Sequence, residues 1–479
     1  MVQRAHFRAT PKAIAAGVLL LAAACGREPV RTVDASLQPG VRQYLRLAVA
    51  LGERDPDSLD YFYGPLELVA DIRKQPPTFG EIKREADHLI SELRSRKSDR
   101  SEGDGAEDER RVDYLIGQLR AISSRVGVVT GAPLTFDQET EAVFGITIPE
   151  KYGAPQPIEA KATLQALLPG RGSLAARYAA FDGRFLIPGK KIPLVMERAI
   201  AACRAETLAH VEMPRGEKVE LRFVHNKPWS GYSYYQGNYR SLVEINLDYG
   251  LTVDRALQLA CHESYPGHHL YNSLQDEKLV RGAQMDELAV QPSYSPQSLA
   301  SEASATLAAD LAFPRAKRLA LERDVLFPLA GLDGRKAARY LRVEGLVDEL
   351  YPAEFAIARD YLDGKLEFER ANTALEERAL MAHAEPALKY INEYRSYVAT
   401  YTYGRDLAAR YLAGPNGELR WARYLRRLTS YPVWLAGGDM DPVRPEGGSG
   451  QTYMVGRRDG PAPGIEAGPD AGQPARPVL

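Results

Sequence analysis

Three of the chain's eight histidines fall within eight consecutive residues, His262-Glu263-Ser264-Tyr265-Pro266-Gly267-His268-His269. Imidazoles beside a carboxylate suit proton transfer and metal binding. Zinc hydrolases commonly carry two histidines at i and i+4 of one helix, so that both reach one ion, and the glutamate after the first acts as general base. Here position i+4 is Pro266. In an unbroken helix His268 would point about 240° away from His262, and His269 would share its face but lie about 10 Å further along the axis. Proline removes the amide that would bond the His262 carbonyl, and Gly267 tolerates the backbone angles of a bulge. Together they are expected to re-aim His268 toward a metal held by His262, with His269 either behind the ligands, supporting them, or as an alternative ligand. Glu263 stands where the general base belongs. Cys261 reads as a small buried hydrophobe, because adjacent helical side chains point about 100° apart and a thiol there cannot easily hydrogen-bond to His262.

The elements that must position this segment are mainly helical. Ile82, Ala86, Leu89, Ile90 and Leu93 recur at helical spacing, as do Val112, Leu115, Ile116, Leu119 and Ile122. Between them, Ser98 to Arg111 has no apolar residue larger than alanine and is expected to be a solvated loop. Alternation of Val219, Leu221 and Phe223, and of Val243, Ile245 and Leu247, predicts a small β-sheet just before the histidine segment. From about 252 to 430 the pattern is helical again. The expected fold is thus mainly α with a small sheet beside the site helix.

The 61 Lys+Arg nearly cancel the 63 Asp+Glu, so there is no basic excess of the kind that binds nucleic acid. Arg4, Arg8 and Lys12 precede the short apolar run 13–24, an export signal too brief to span a bilayer. It ends in Leu21-Ala-Ala-Ala-Cys25-Gly, which resembles a bacterial lipobox, so Cys25 is expected to become a lipidated N-terminus holding the protein to the membrane of the cell envelope. The expected organisation is a signal peptide (1–24), a tether (25–38), a catalytic domain (39–440) and a tail. That tail, 441–479, holds 15 Gly or Pro, too many for a helix or a central strand, and reads as disordered. Cys203 and Cys261 allow one bridge, but three cysteines make no framework, and stapling is not expected to hold the fold.

With its HExxPGHH segment the chain resembles the bacterial domain-of-unknown-function 885 family, whose members are themselves similar to helical zinc metallopeptidases. Tyr232 through Asn246 resembles the family's tyrosine-rich approach and its strand ending in asparagine. Glu302, Ala305, Ala308 and Leu311 fall where the family shows a helix beginning EGWAxYAE, and Tyr401-Thr-Tyr-Gly404-Arg405 fits its YxxGR segment. The resemblance covers residues 40–430 and is strongest over 230–410. Ala303 and Ser304 replace the family's glycine and tryptophan, Ala309 its second glutamate, and its PGQ is missing around Tyr394-Arg395-Ser396.

The resemblance implies a helical zincin-like metallopeptidase architecture and one Zn2+, held by His262, His268 and Glu302. Glu263 would be the base, and Tyr401, among Tyr394, Tyr397, Tyr401 and Tyr403, the donor to the oxyanion. An extended peptide substrate is expected to pair with the edge of strand 241–247. The same residues would serve a non-peptide amide or ester. The competing reading is a non-catalytic envelope lipoprotein that keeps the fold as a binding module.

Overall fold

The computed structural model describes residues 37–98, 106–154, 157–227, 229–248, 250–381, 384–414, 419–432 and 434–435. The signal peptide, Cys25 and the Gly/Pro-rich tail lie outside the described residues. Among those described, no helix is long and apolar enough to cross a membrane.

The chain is mainly α with two small sheets. The helices that matter for the site are, in chain order, α1 (Gln38–Arg54), α2 (Phe79–Ser98), α3 (Ala106–Val129), α4 (Ile192–Leu208), α5 (Val253–Glu263), α6 (His268–Gln275), α7 (Pro296–Thr306), α8 (Ala384–Tyr394) and α9 (Trp421–Leu428). The two apolar stripes read near 82–122 lie on α2 and α3, and both face inward. The charged stretch between them is not all loop, since α3 begins at Ala106. Arg111 ends that stretch buried, its guanidinium forked on Glu287 at 2.7 and 2.9 Å. Counting apolar residues missed it, because a charged side chain can be buried when a paired partner neutralises it.

One sheet has three strands, β2 (Lys218–Val224), β3 (Gly231–Tyr235) and β4 (Arg240–Asn246), in the order β2-β4-β3. β4 runs parallel to β2 and antiparallel to β3. The alternation read over 219–223 and 243–247 corresponds to β2 and β4. β3 escaped notice because Tyr232, Tyr234 and Tyr235 put large rings on both faces, which erases the period of two. A second sheet pairs β1 (Leu59–Phe62) with β5 (Val290–Pro292), antiparallel.

Three apolar clusters fill the interior. One gathers α1–α3, a second α4, β4 and α5, and a third α6, α7 and the C-terminal helices. The histidine segment lies between the second and the third, because α5 belongs to one and α6 to the other. Every residue from Ala256 to Asp276 is buried. Polar side chains there must find partners inside the protein.

Candidate metal centre

Helix α5 starts on Thr252, whose hydroxyl accepts the Arg255 amide, and stops after Glu263. Ser264 leaves helical angles at φ −119°, ψ −94°, before the proline is reached. The chain then folds back under its own last turn, where the Gly267 amide donates to the Cys261 carbonyl at 3.0 Å. A Cβ on Gly267 would sit 1.9 Å from the His262 carbonyl oxygen and 2.5 Å from that of Cys261, so only glycine fits. The buried Tyr424 of α9 donates to the Pro266 carbonyl at 2.7 Å. The expected bulge is therefore a full break, and α6 restarts at His268 in a new direction.

That break brings His268 to His262. Their Nε2 atoms lie 3.1 Å apart, with the rings edge to face at 86°. From α7, Glu302 sets Oε2 3.3 Å from His262 Nε2 and 3.5 Å from His268 Nε2. The ligands of a tetrahedral zinc ion bonded at ~2.0–2.2 Å stand about 3.3–3.5 Å apart. The two edges to Glu302 Oε2, 3.3 and 3.5 Å, have those dimensions, and the edge between the imidazoles, 3.1 Å, is slightly shorter. Two imidazoles and a carboxylate this close together are a donor set that suits that ion. Ligand atoms of His262, Glu263 and His268 all lie within 4.8 Å of one another, which sets the expected base beside the expected ligands.

The three groups also shift one another's protonation. Burial alone would raise the Glu302 carboxyl, yet the facing imidazoles of His268 and His262 hold it well below the usual carboxylate range. Burial alone would lower His268, yet the Glu302 charge carries it up.

Outer contacts fix these side chains. His268 Nδ1 is 3.1 Å from Ser301 Oγ, and Tyr397 donates to Glu302 Oε1 at 2.8 Å. Ser301 and Glu302 are neighbours on α7, so one turn of helix serves two ligands. α7 can come this near because it is built of small residues. A Cβ on the facing Gly404 would lie 2.6 Å from Leu299 Cδ1 and 3.6 Å from the Ala303 methyl. Asp310, one place beyond Ala309, pairs with Arg318 at 3.3 Å and Arg405 at 3.6 Å.

His269 does not join the triangle. Fully buried, it sets Nδ1 2.8 Å from Ser241 Oγ and Nε2 3.1 Å from Glu217. Burial lowers its pKa, so both nitrogens of a neutral ring are engaged with β4 and the loop before β2. The alternative-ligand reading is corrected accordingly. Cys261 is not a lone hydrophobe either, because it forms a disulfide with Cys203 of α4, Cα to Cα 5.5 Å. The one bridge that the cysteines allowed is thus formed, across 58 residues of sequence.

The centre opens on a cleft of about 190 Å³. Tyr401 lines it, its ring centroid 6.4 Å from that of His262, and burial keeps its phenol protonated far above neutral pH, as a hydrogen-bond donor requires. Of the other candidate tyrosines, Tyr394 also lines the cleft, Tyr397 is engaged with Glu302, and Tyr403 packs away on Tyr152. β4 is paired on both sides, so the edge strand facing the cleft is β3 and not 241–247. Gly231 on β3 passes so near that a Cβ would lie 3.0 Å from Glu263 Oε1. Sequence reasoning missed Asp60, on β1, and Tyr390, on α8, which also line the cleft. Asp60 accepts from the Tyr232 hydroxyl and, at 2.6 Å, from Gln291, while burial pushes its carboxyl up to about 6. Some 200 residues separate Asp60 from the histidines, and no local pattern marks it.

No family model matches the chain, and no curated protein does. Among solved structures, the chain is similar to a candidate lipoprotein from Colwellia psychrerythraea, at 13% identity and a TM-score of 0.45, over 77% of this chain and 70% of that one.

Proposed function

We propose that the protein is an exported zinc-dependent hydrolase, lipid-anchored through Cys25 in the cell envelope, that cleaves peptide bonds. The observation that carries the reading is the triangle of His262 Nε2, His268 Nε2 and Glu302 Oε2, with Glu263 beside it and an aromatic cleft in front. The HExxPGHH resemblance supports it from the sequence side. His262, His268 and Glu302 would hold the zinc ion, which when bound would supply Lewis acidity for polarising a carbonyl and for lowering the pKa of water.

The chain's own residues do the rest. β3 offers backbone donors and acceptors to an extended peptide and carries it past Glu263. Glu263 takes a proton from the attacking water and returns it to the leaving amine. Tyr401 donates to the oxygen that gains charge in the transition state. Tyr397 and Ser301 keep Glu302 and His268 oriented. A module that only bound peptides would have no use for a base beside the ligands.

The test is metal analysis of the purified mature protein paired with digestion of a peptide library. One equivalent of zinc and cleavage abolished by a chelator are expected. A zinc-loaded protein that cleaves no peptide, amide or ester would leave the binding-module reading instead.

A further inference from the structure

Two consecutive residues of α4 reach both sides of the break between His262 and His268. Cys203 is disulfide-bonded to Cys261, the residue immediately before His262. Arg204 sets Nη2 2.5 Å from Glu217 Oε1, and the other oxygen of Glu217 receives the Tyr265 hydroxyl and lies 3.1 Å from His269 Nε2. Tyr265 lies within the break, and His269 immediately follows His268. Cys203, Cys261 and His269 are fully buried. Burial would raise Glu217, but His269, Tyr265 and Arg204 together hold it down at about 2, so it stays charged while it ties them.

We propose that Cys203 and Arg204 are positioning residues which clamp the two halves of the broken helix, and that the metal centre reaches its binding geometry only when Cys203 and Cys261 are joined. The proposal rests on the metal-centre reading above. A continuous helix would fix its last turn through an unbroken ladder of its own hydrogen bonds, but α5 ends one residue after His262, and that ladder is replaced only in part, by the Gly267 amide on the Cys261 carbonyl at 3.0 Å and the Leu270 amide on the Ser264 carbonyl at 3.3 Å. The clamp supplies the missing restraint from a third element. Placing three ligand atoms within a few tenths of an ångström demands such support.

Joining the two thiols forms one S–S bond and releases two protons and two electrons. The acceptor is a disulfide-bearing oxidant protein, which is itself reduced to a dithiol. Such oxidants act outside the reducing cytosol, so an exported chain acquires its zinc-competent form only after export.

The test compares the oxidised mature protein with Cys203→Ala/Cys261→Ala, using zinc dissociation constants from chelator competition and the visible absorption of the cobalt-loaded forms. Measurements are made well below the melting temperature of each metal-free protein, so that lost stability does not masquerade as lost affinity. Zinc affinity is expected to fall about tenfold or more, with altered cobalt bands and unchanged circular dichroism. Equal affinities and identical cobalt spectra in the folded double variant would overturn the clamp. If that variant does not fold, Arg204→Gln, which keeps the disulfide, is expected to weaken zinc in the same direction and Arg204→Lys to restore part of it. Wild-type affinity in Arg204→Gln would then overturn the proposal. Failure of the oxidised wild type to bind zinc or cobalt at all would withdraw the metal centre itself, and the clamp with it.

Discussion

Tyr397 donates its hydroxyl hydrogen to Glu302 Oε1 at 2.8 Å, which turns the other carboxylate oxygen toward the two imidazoles. Ser298 Oγ, 3.2 Å from the same phenol oxygen, completes the chain of donors. Tyr397→Phe keeps the ring and removes this restraint. Zinc affinity should fall by about 10-fold to 100-fold. The metal-free protein should lose about 1–3 kcal/mol, because a buried carboxylate oxygen is left without its donor. Calorimetric zinc titration and thermal melts read the two effects separately, and unchanged affinity would mean that Glu302 is not a ligand.

What the sequence made legible was set by how locally the information is written. His262, Glu263 and His268 could be read because a rare residue type clusters beside a proline and a glycine that must break the helix. Glu302 and Tyr401 became readable only through resemblance, since a glutamate on a helix and a tyrosine among 26 are ordinary residues. The role of His269 depends on Ser241 and Glu217, and that of Cys261 on Cys203, none of which lies in the segment itself. β3 stayed hidden because aromatic rings occupy both of its faces, and Asp60 because tertiary packing alone brings β1 to the cleft.

Gly267→Ala should destroy the centre without touching a ligand. Its methyl would need the space of two carbonyl oxygens, at 1.9 and 2.5 Å, and backbone cannot yield as a flexible side chain can. The expected result is a loss of about 3 kcal/mol or more and of zinc binding with it. A Gly267→Ala protein that melts like wild type and binds zinc would show that the turn is not built as described.

Acidity should act on the metal-free and zinc-bound proteins in opposite directions. His268 has a raised pKa when folded, so its contribution to stability is fully present below about 6.5 and is lost as pH rises through the raised value. Glu302 has a depressed pKa, so its contribution is present above about 4.3 and is lost as pH falls toward the lowered value. Zinc must displace the proton of His268, so the gain in melting temperature on adding zinc should grow from pH 6 to pH 8 while the His268 part of metal-free stability declines. Melts with and without zinc at both pH values, in wild type and His268→Gln, check this. A zinc-induced gain independent of pH would count against His268 as a ligand.

Cys25→Ser should release the protein from the membrane fraction, because only a thiol accepts the diacylglyceryl group. Detergent partitioning of the two forms measures this. Partitioning unchanged in the serine variant would mean that the N-terminal segment is a plain signal or an anchor.

Glu263→Gln separates binding from chemistry. The amide keeps the size of the side chain, and the ligand triangle beside it does not include Glu263, so zinc content and melting temperature should stay close to wild type. A neutral amide cannot accept the water's proton, so turnover should fall by about 10² or more with little change in KM. His262→Ala should instead lose metal and activity together, since it removes a corner of the triangle. Metal stoichiometry and kcat measured on the same preparations distinguish the two patterns. Hydrolysis at full rate by Glu263→Gln would sink the general-base assignment while leaving the metal centre intact, whereas zinc retained at full stoichiometry by His262→Ala would sink the centre.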